Sequence, residues 1–366
     1  MNLTQKGKIS SRQLAIMLFG FLSGSSIVSS TTLGAGHGVW MSIIIGYAEG
    51  LLLVLLFIKL TSRYPGQSLF EINTAVFGSW LGKLISLCYI WYFFHISTLV
   101  TRSFTDYFIT TFYPETPLLV LAIIGPFLAA YAVIKGIETI ARCSTFLAPF
   151  AYLVTLITIF LLIPQMNFAN FLPIFDKPLK EILIAGQEIA ILPYGESLVF
   201  LVLVPYLNKP TQLKSSFFIA FTVTLSIHLL LFARNVSILG PTIEIFLYPS
   251  YEAVRMINIA NLITRVEVLV AGTLFFLDFI KTSILYHAIL TGLENVFGLQ
   301  SFRPLIFPLG VLITAVSLLQ FENPLELLDF TGSYYPLYSL FFQLFLPLLT
   351  LTVSLFRQKK PAQEVR

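Results

Sequence analysis

The chain is 366 residues long, 57% hydrophobic and only 11% charged, with a mean hydropathy of +0.86 and a formal net charge of +4. That make-up excludes an ordinary soluble domain, and so small a net charge gives no ground for a nucleic-acid partner. What remains is an all-helical polytopic membrane protein whose solvent is the lipid bilayer. Cys88 and Cys143, its two cysteines, stand in apolar stretches, which argues against a disulfide framework or a thiolate metal site.

A bilayer core takes roughly 20 apolar residues per helix, and ten segments qualify. The first is 11–36, with Gly20, Gly24, Ser25 and Ser26 in its middle. No small-residue cleavage site followed by a soluble domain appears there, so a retained span is expected. The second is 39–60. Residues 68–77 are too polar to cross and are expected along the interface. The third span is 80–111, the fourth 117–134 and the fifth 138–163, followed by a connector over 164–176. The sixth covers 178–208 and the seventh 211–238. A polar connection over 241–261, with an amphipathic helix at 251–259, leads to the eighth span at 262–291. The ninth is 303–321 and the tenth 334–356.

Basic residues test this count through the positive-inside rule. With the N-terminus in the cytoplasm, that side receives Lys6, Lys8, Arg12, Lys59, Arg63, Lys83, Lys135, Arg142, Lys209, Lys214, Arg303, Arg357, Lys359, Lys360 and Arg366. Lys177, Lys180, Arg234 and Arg255 fall outside. An even number of spans with both termini cytoplasmic preserves that asymmetry. The chain then divides into a cytoplasmic start (1–10), a first repeat of five helices (11–163), a second repeat of five (178–356) and a cytoplasmic tail (357–366), all within one membrane domain.

The sixth span carries Leu192-Pro193-Tyr194-Gly195-Glu196 in its middle. Proline removes a backbone donor and glycine tolerates unusual backbone angles, so a helix break is expected here. Unwound backbone at membrane depth persists only inside protein or beside a water-filled cavity, which makes the break a candidate ligand or ion site. In a five-plus-five inverted repeat the first span corresponds to the sixth, and it carries Gly24-Ser25-Ser26 at the matching depth. The competing reading of those small residues is close helix packing.

Leu192-Pro193-Tyr194-Gly195-Glu196, with the run to Pro205-Tyr206-Leu207, resembles the sixth-helix signature of the B subunit of bacterial spore germinant receptors. That family resembles permeases of the amino acid-polyamine-organocation superfamily. Further likenesses are Ile9-Ser10 with Gln13 and Gly24, Tyr64-Pro65 with Ser68-Leu69-Phe70-Glu71, and Thr101-Arg102. Tyr248-Pro249 with Arg255, Ile257-Asn258-Ile259, Arg265, Glu267 and Lys281 extend them over almost the whole chain. Ser26 and Thr31 depart from the glycine and proline usual in the family's first helix.

The resemblance implies a LeuT-type fold with ten transmembrane helices, the first and sixth broken. It also implies a small-molecule germinant, an amino acid or similar, and assembly with the receptor's A and C subunits in the inner spore membrane. Backbone of Gly24, Ser25 and Ser26 would meet a ligand carboxylate, Tyr194, Gly195 and Glu196 would form the opposite wall, and Ser97, Thr98, Thr101 and Phe275 would line the space between. In this fold the middle of helix eight faces the break in helix one, where a sodium ion can bind. Lys281 is then a candidate substitute for that ion.

Charges inside spans cost about 2.5–3.5 kcal/mol each at a helix centre and call for partners. Glu196 either faces a ligand amine or is held by the freed amides of the break. Asp278 and Lys281, three residues apart on one helix, can neutralise each other as an alternative to the sodium-substitute role. Arg102, Asp106, Arg265 and Glu267 gather toward the outer half as a gate or a rigid tie. Glu188 is weakly placed, and Glu49 and His95 read as lone polar residues bonded to neighbouring helices. His37, His95, His228 and His287 have no metal-ligand spacing, and there is no phosphate-cradling loop or nucleophile elbow, so neither catalysis nor a cofactor is expected. Two functions remain: a receptor subunit whose closed-open equilibrium is shifted by a nutrient and read by its partners, or a permease working by alternating access, coupled to protons through Glu196 or Asp278. A water or ion passage through the same cavity is compatible with the first.

Overall fold

The computed structural model describes residues 7–24, 33–257 and 266–356. Within them the chain is helical throughout, and the single strand-type pairing is a bridge between Ile9 and Leu207. The expected segments form as α1 (Ser11–Ser23), α2 (Val39–Arg63), the short α3 (Leu69–Phe77), α4 (Ser79–Thr111), α5 (Leu118–Lys135) and α6 (Ile137–Leu162). Ser10 and Gln13 make a capping box at the start of α1, and Ser68 with Glu71 does the same for α3, so both starts are written locally. Gly78 (φ 87°) and Gly136 (φ 94°) end one helix and begin the next in a single residue, in backbone regions that a side chain would disfavour.

The second half comprises α7 (Leu179–Ile189), α8 (Leu213–Leu239), the short α9 (Pro249–Arg255), α10 (Glu267–Phe297), α11 (Ile306–Leu319), α12 (Pro324–Asp329), α13 (Tyr335–Leu340) and α14 (Leu346–Phe356). Eight helical stretches among the described residues are long and apolar enough to cross a membrane, and Arg303–Leu319 is a shorter apolar one. Of the ten expected spans, the first is described only through Gly24 and the ninth is that shorter helix. The last differs most from its expected start. It begins at Pro324 rather than near 334, because Asn323 caps the first turn from its side chain and Pro324 occupies the first helical positions. Wider π turns at Phe330–Tyr334 and Phe341–Phe345 then join α12, α13 and α14 into one continuous stretch.

The sixth span is the axis of the molecule. After α7 comes a π turn (Ala190–Tyr194), inside which Leu192 leaves helical geometry (φ −123°, ψ 109°), and then a 3₁₀ helix (Gly195–Tyr206). Every residue from Gly195 to Val204 is buried. Apart from Glu196 and Ser197 the run is apolar on every side, and the charge of Glu196 requires a partner inside the bundle rather than a lipid-facing position. Its far end is pinned by the start of the chain: Ile9 N–H donates to Tyr206 O (2.8 Å) and Asn208 N–H to Ile9 O (3.0 Å). Around this axis α10 packs against α1, α4, α5 and α6, while α2 packs against α7, α8 and α14.

Candidate functional site

The site is built on the break. The π turn gives the Gly195 N–H to Ala190 O and frees Ile191 O from the helical ladder. That carbonyl is taken up by the side chain of Gln343, whose Nε2 donates to it at 3.1 Å. The same Nε2 donates to Tyr92 Oη (2.6 Å), and the Tyr92 hydroxyl stands 3.3 Å from that of Tyr335. Tyr335 donates to Glu196 Oε1, and Glu196 Oε2 lies 2.7 Å from Lys281 Nζ. A continuous polar chain therefore runs from a freed backbone carbonyl through three side chains to a buried ion pair, and both members of the pair are 1% exposed. Buried charges persist only when paired and hydrogen-bonded, as here.

Lys281 is held from a second side as well. Its Nζ stands 5.2 Å from the centre of the Phe21 ring of α1, a cation–π contact. A Cβ added to Gly24, at the end of α1, would come within 3.4 Å of Lys281 Cδ and 3.2 Å of Asp278 Oδ1, so both α10 side chains abut the end of the first half-helix. The lysine ammonium is paired with Glu196 rather than with its helix neighbour Asp278. Asp278 is buried, and its Oδ1 accepts no hydrogen bond among the described residues.

One small cavity adjoins this chain, and another lies beside Asp278. The first, of about 60 Å³, is lined by Leu192, Glu196 and Lys281 with Val100 and Tyr248, and by Leu327 of α12 and Thr331. It has room for a few waters and not for an amino acid. At its edge, outside the spans, burial pushes the Tyr248 phenol well up, and the Asp106 carboxylate adds to the effect, so Tyr248 is a neutral hydroxyl at ordinary pH. The second, of about 10 Å³, lies among Thr101, Phe104, Phe275, Asp278 and Thr282.

The residues named from sequence thus separate into groups. Glu196 and Lys281 line the larger cavity, while Thr101, Phe275 and Asp278 line the smaller. Pro193 lies within the break itself. Tyr194 turns the other way: its ring packs on Phe221 at 4.7 Å and its Cβ fills the space left by Gly50 of α2. Gly195 faces Gln343 so closely that a Cβ would lie 1.9 Å from its Oε1. Ser97 Oγ donates to Phe93 O within α4, and Thr98 Oγ1 donates to His95 O and reaches Gln320 Oε1 at 3.0 Å. Ser25, Ser26 and Arg265 lie outside the described residues.

A family model described as spore germination protein matches residues 8–324. The chain belongs to that family. Spore germination protein KB of Bacillus subtilis (strain 168) is 29% identical over 361 residues, which cover 97% of each chain. Among solved structures, Mhp1, a nucleobase-cation-symport-1 family transporter in a closed conformation with bromovinylhydantoin bound, matches with a TM-score of 0.68 at 13% identity. That match covers 94% of this chain and 78% of the other. MhsT in complex with L-phenylalanine matches with a TM-score of 0.63 at 14% identity, over 96% and 99% of the two chains. At such identities the likeness is one of fold, and the fold is the LeuT-type helical membrane architecture.

Away from the break, this spore germination family member has a second buried ion pair. Arg102 Nε donates to Asp106 Oδ1 (2.8 Å) and Oδ2 (2.9 Å) one turn along α4, and Arg102 Nη1 donates to Phe321 O beyond the end of α11. The guanidinium satisfies a helix-end carbonyl while staying neutralised, which is the geometry of a tie between α4 and α11. His95 stacks on Trp91 (6.2 Å, 5° between planes), and Glu49 and Glu188 are half-buried. The participants absent from the sequence reading are Tyr92, Tyr335 and Gln343. Gln343 had a usable signal, since an amide inside the apolar run of the last span needs partners in lipid. The two tyrosines had none, being ordinary in a chain with 16 of them.

Proposed function

We propose that this chain is a membrane-embedded germinant receptor subunit that binds a small nutrient, an amino acid or similar molecule, at the cavity beside the sixth-span break. The observation that carries the reading is the Glu196–Lys281 pair, two opposite charges side by side at a break in a family member of spore germination proteins. Such a pair offers a zwitterion a partner for each of its ends. At about 60 Å³ the cavity is too small for an amino acid, so binding requires lining such as α12 and Thr331 to move away, and that movement is the change partner subunits would read. Assembly with A and C subunits, residence in the inner spore membrane and cytoplasmic termini belong to the same proposal. They are supported by the family and by the distribution of basic residues.

The test is calorimetric binding of a panel of amino acids and simple sugars to the purified protein, repeated with the double variant Glu196→Gln/Lys281→Met. That variant removes both charges together and strands neither. A ligand bound by the native protein and lost in the folded double variant supports the site, whereas unchanged binding moves it elsewhere. A permease reading is favoured by the transporters that share the fold. Concentrative uptake of the ligand into liposomes would select it over the pure receptor.

A further inference from the structure

An open groove lies away from the break, on the outer face of the bundle between α5 and α11. It has a volume of about 300 Å³, with Ile123, Phe127 and Ala130 on one wall and Phe307, Val311 and Ala315 on the other. Phe127, Phe307 and Val311 are more than half exposed there, so the groove opens outward from the protein. Its floor is Tyr286 of α10, and Gly310 leaves room over it: a Cβ there would stand 3.0 Å from the tyrosine oxygen. The hydroxyls on the lining are already used. Tyr286 donates to Ile306 O, and Thr314 Oγ1 donates to Gly310 O at 2.9 Å. An occupant therefore needs no polar atoms inside the groove.

One end of the groove is different. Phe307 follows Arg303 by four residues and Ala130 precedes Lys135 by five, so each cation stands roughly 6–8 Å along its helix axis beyond the last lining residue. Both are exposed, and Lys135 lies 5.2 Å over the Tyr131 ring. Their placement on one side of the bundle follows from a string of contacts. The turn after Lys135 carries Glu138, which accepts from Lys8 N–H (2.8 Å), and neighbouring Ile9 is bridged to Leu207. Tyr206 packs on His287 (5.4 Å), and His287 packs on Phe302, next to Arg303. A dry slot that opens to the bilayer and has two cations at one mouth matches an acyl chain beneath an anionic headgroup.

We propose that the α5–α11 groove binds an anionic phospholipid of the surrounding membrane, its acyl chain in the slot and its phosphate at Lys135 and Arg303. The site is independent of the nutrient-binding reading. It gives the protein a lipid-dependent contact on α10, the helix that carries Asp278 and Lys281.

The experiment is native mass spectrometry of the purified protein exchanged into mixtures of phosphatidylglycerol and phosphatidylcholine. The native protein is expected to retain phosphatidylglycerol preferentially. Lys135→Gln/Arg303→Gln is expected to lose that preference by roughly tenfold, since each basic residue near the headgroups contributes a severalfold gain. Ala315→Phe, at an exposed position that fills the slot without entering the core, is expected to reduce retention of both lipids. Equal retention of the two lipids by the native protein overturns the proposal. So does a dimer or partner complex that Ala315→Phe abolishes while lipid retention is untouched, because the groove is then a helix-docking surface.

Discussion

Two buried ion pairs in this protein have the same chemistry and different reach. Arg102 and Asp106 lie one turn apart on α4, and their outward bond goes to the carbonyl of Phe321. Glu196 and Lys281 come from different spans, stand at a helix break, border a cavity and share their carboxylate with Tyr335. A local pair of the first kind can be kept through any rearrangement that leaves α4 intact. The second kind exists only while the break, α10 and α13 hold their mutual positions, so it can report a change in them. The same two kinds of charge thus make a tie in one place and, in the function proposed above, a sensor in the other, and the connectivity separates them.

The comparison can be broken or sharpened by substitution. The largest effect is expected from Gly195→Val, whose Cβ would fall 1.9 Å from Gln343 Oε1 in a fully packed region. Loss of a monodisperse peak in detergent size-exclusion is the expected outcome, and normal behaviour would show that the break is loosely packed. Next, Lys281→Met leaves Glu196 buried without its cation and should cost about 3–5 kcal/mol in thermal unfolding, together with ligand binding. Adding Glu196→Gln should restore most of the stability and none of the binding.

Arg102→Met should lower stability by about 3 kcal/mol, for the same physical reason. Its ligand affinity should stay within about twofold, because separate sites act additively. A large loss of binding would make the α4 pair part of the proposed binding site and erase the distinction drawn above. Tyr335→Phe removes one bond to a charged acceptor and should cost about 1–3 kcal/mol, read by the same unfolding assay. The smallest effect is expected from Arg142→Gln on the exposed Arg142–Glu138 pair, at or below about 0.5 kcal/mol.

Much of the fold is legible in the sequence. The spans are long apolar runs, and Pro193-Tyr194-Gly195 announced the break in the sixth; the structure places the non-helical residue one position earlier, at Leu192. The last span begins at Pro324 rather than near 334, and the acids Glu322, Glu326 and Asp329 fall at its capped start, where Glu326 Oε2 accepts from Glu322 N–H. Around the break, Glu196 and Lys281 were singled out because a charge in a span is costly wherever it occurs. Tyr194 and Gly195 were singled out as parts of the break and of the family resemblance, and their directions, toward Phe221 and Gln343, depend on neighbouring helices.

By itself the sequence determined the membrane class, the approximate spans, the place of the break and the two charges that needed partners. These follow from hydropathy and backbone chemistry, which act over a few residues at a time. Only the tertiary structure decided that Lys281 pairs with Glu196 rather than with Asp278 three residues away, and that Gln343 takes up the carbonyl freed at Ile191. It also decided that Tyr335 reaches Glu196 across 139 residues of chain. Partner choice is set by how helices pack, and packing directions are not written in any local window of the sequence.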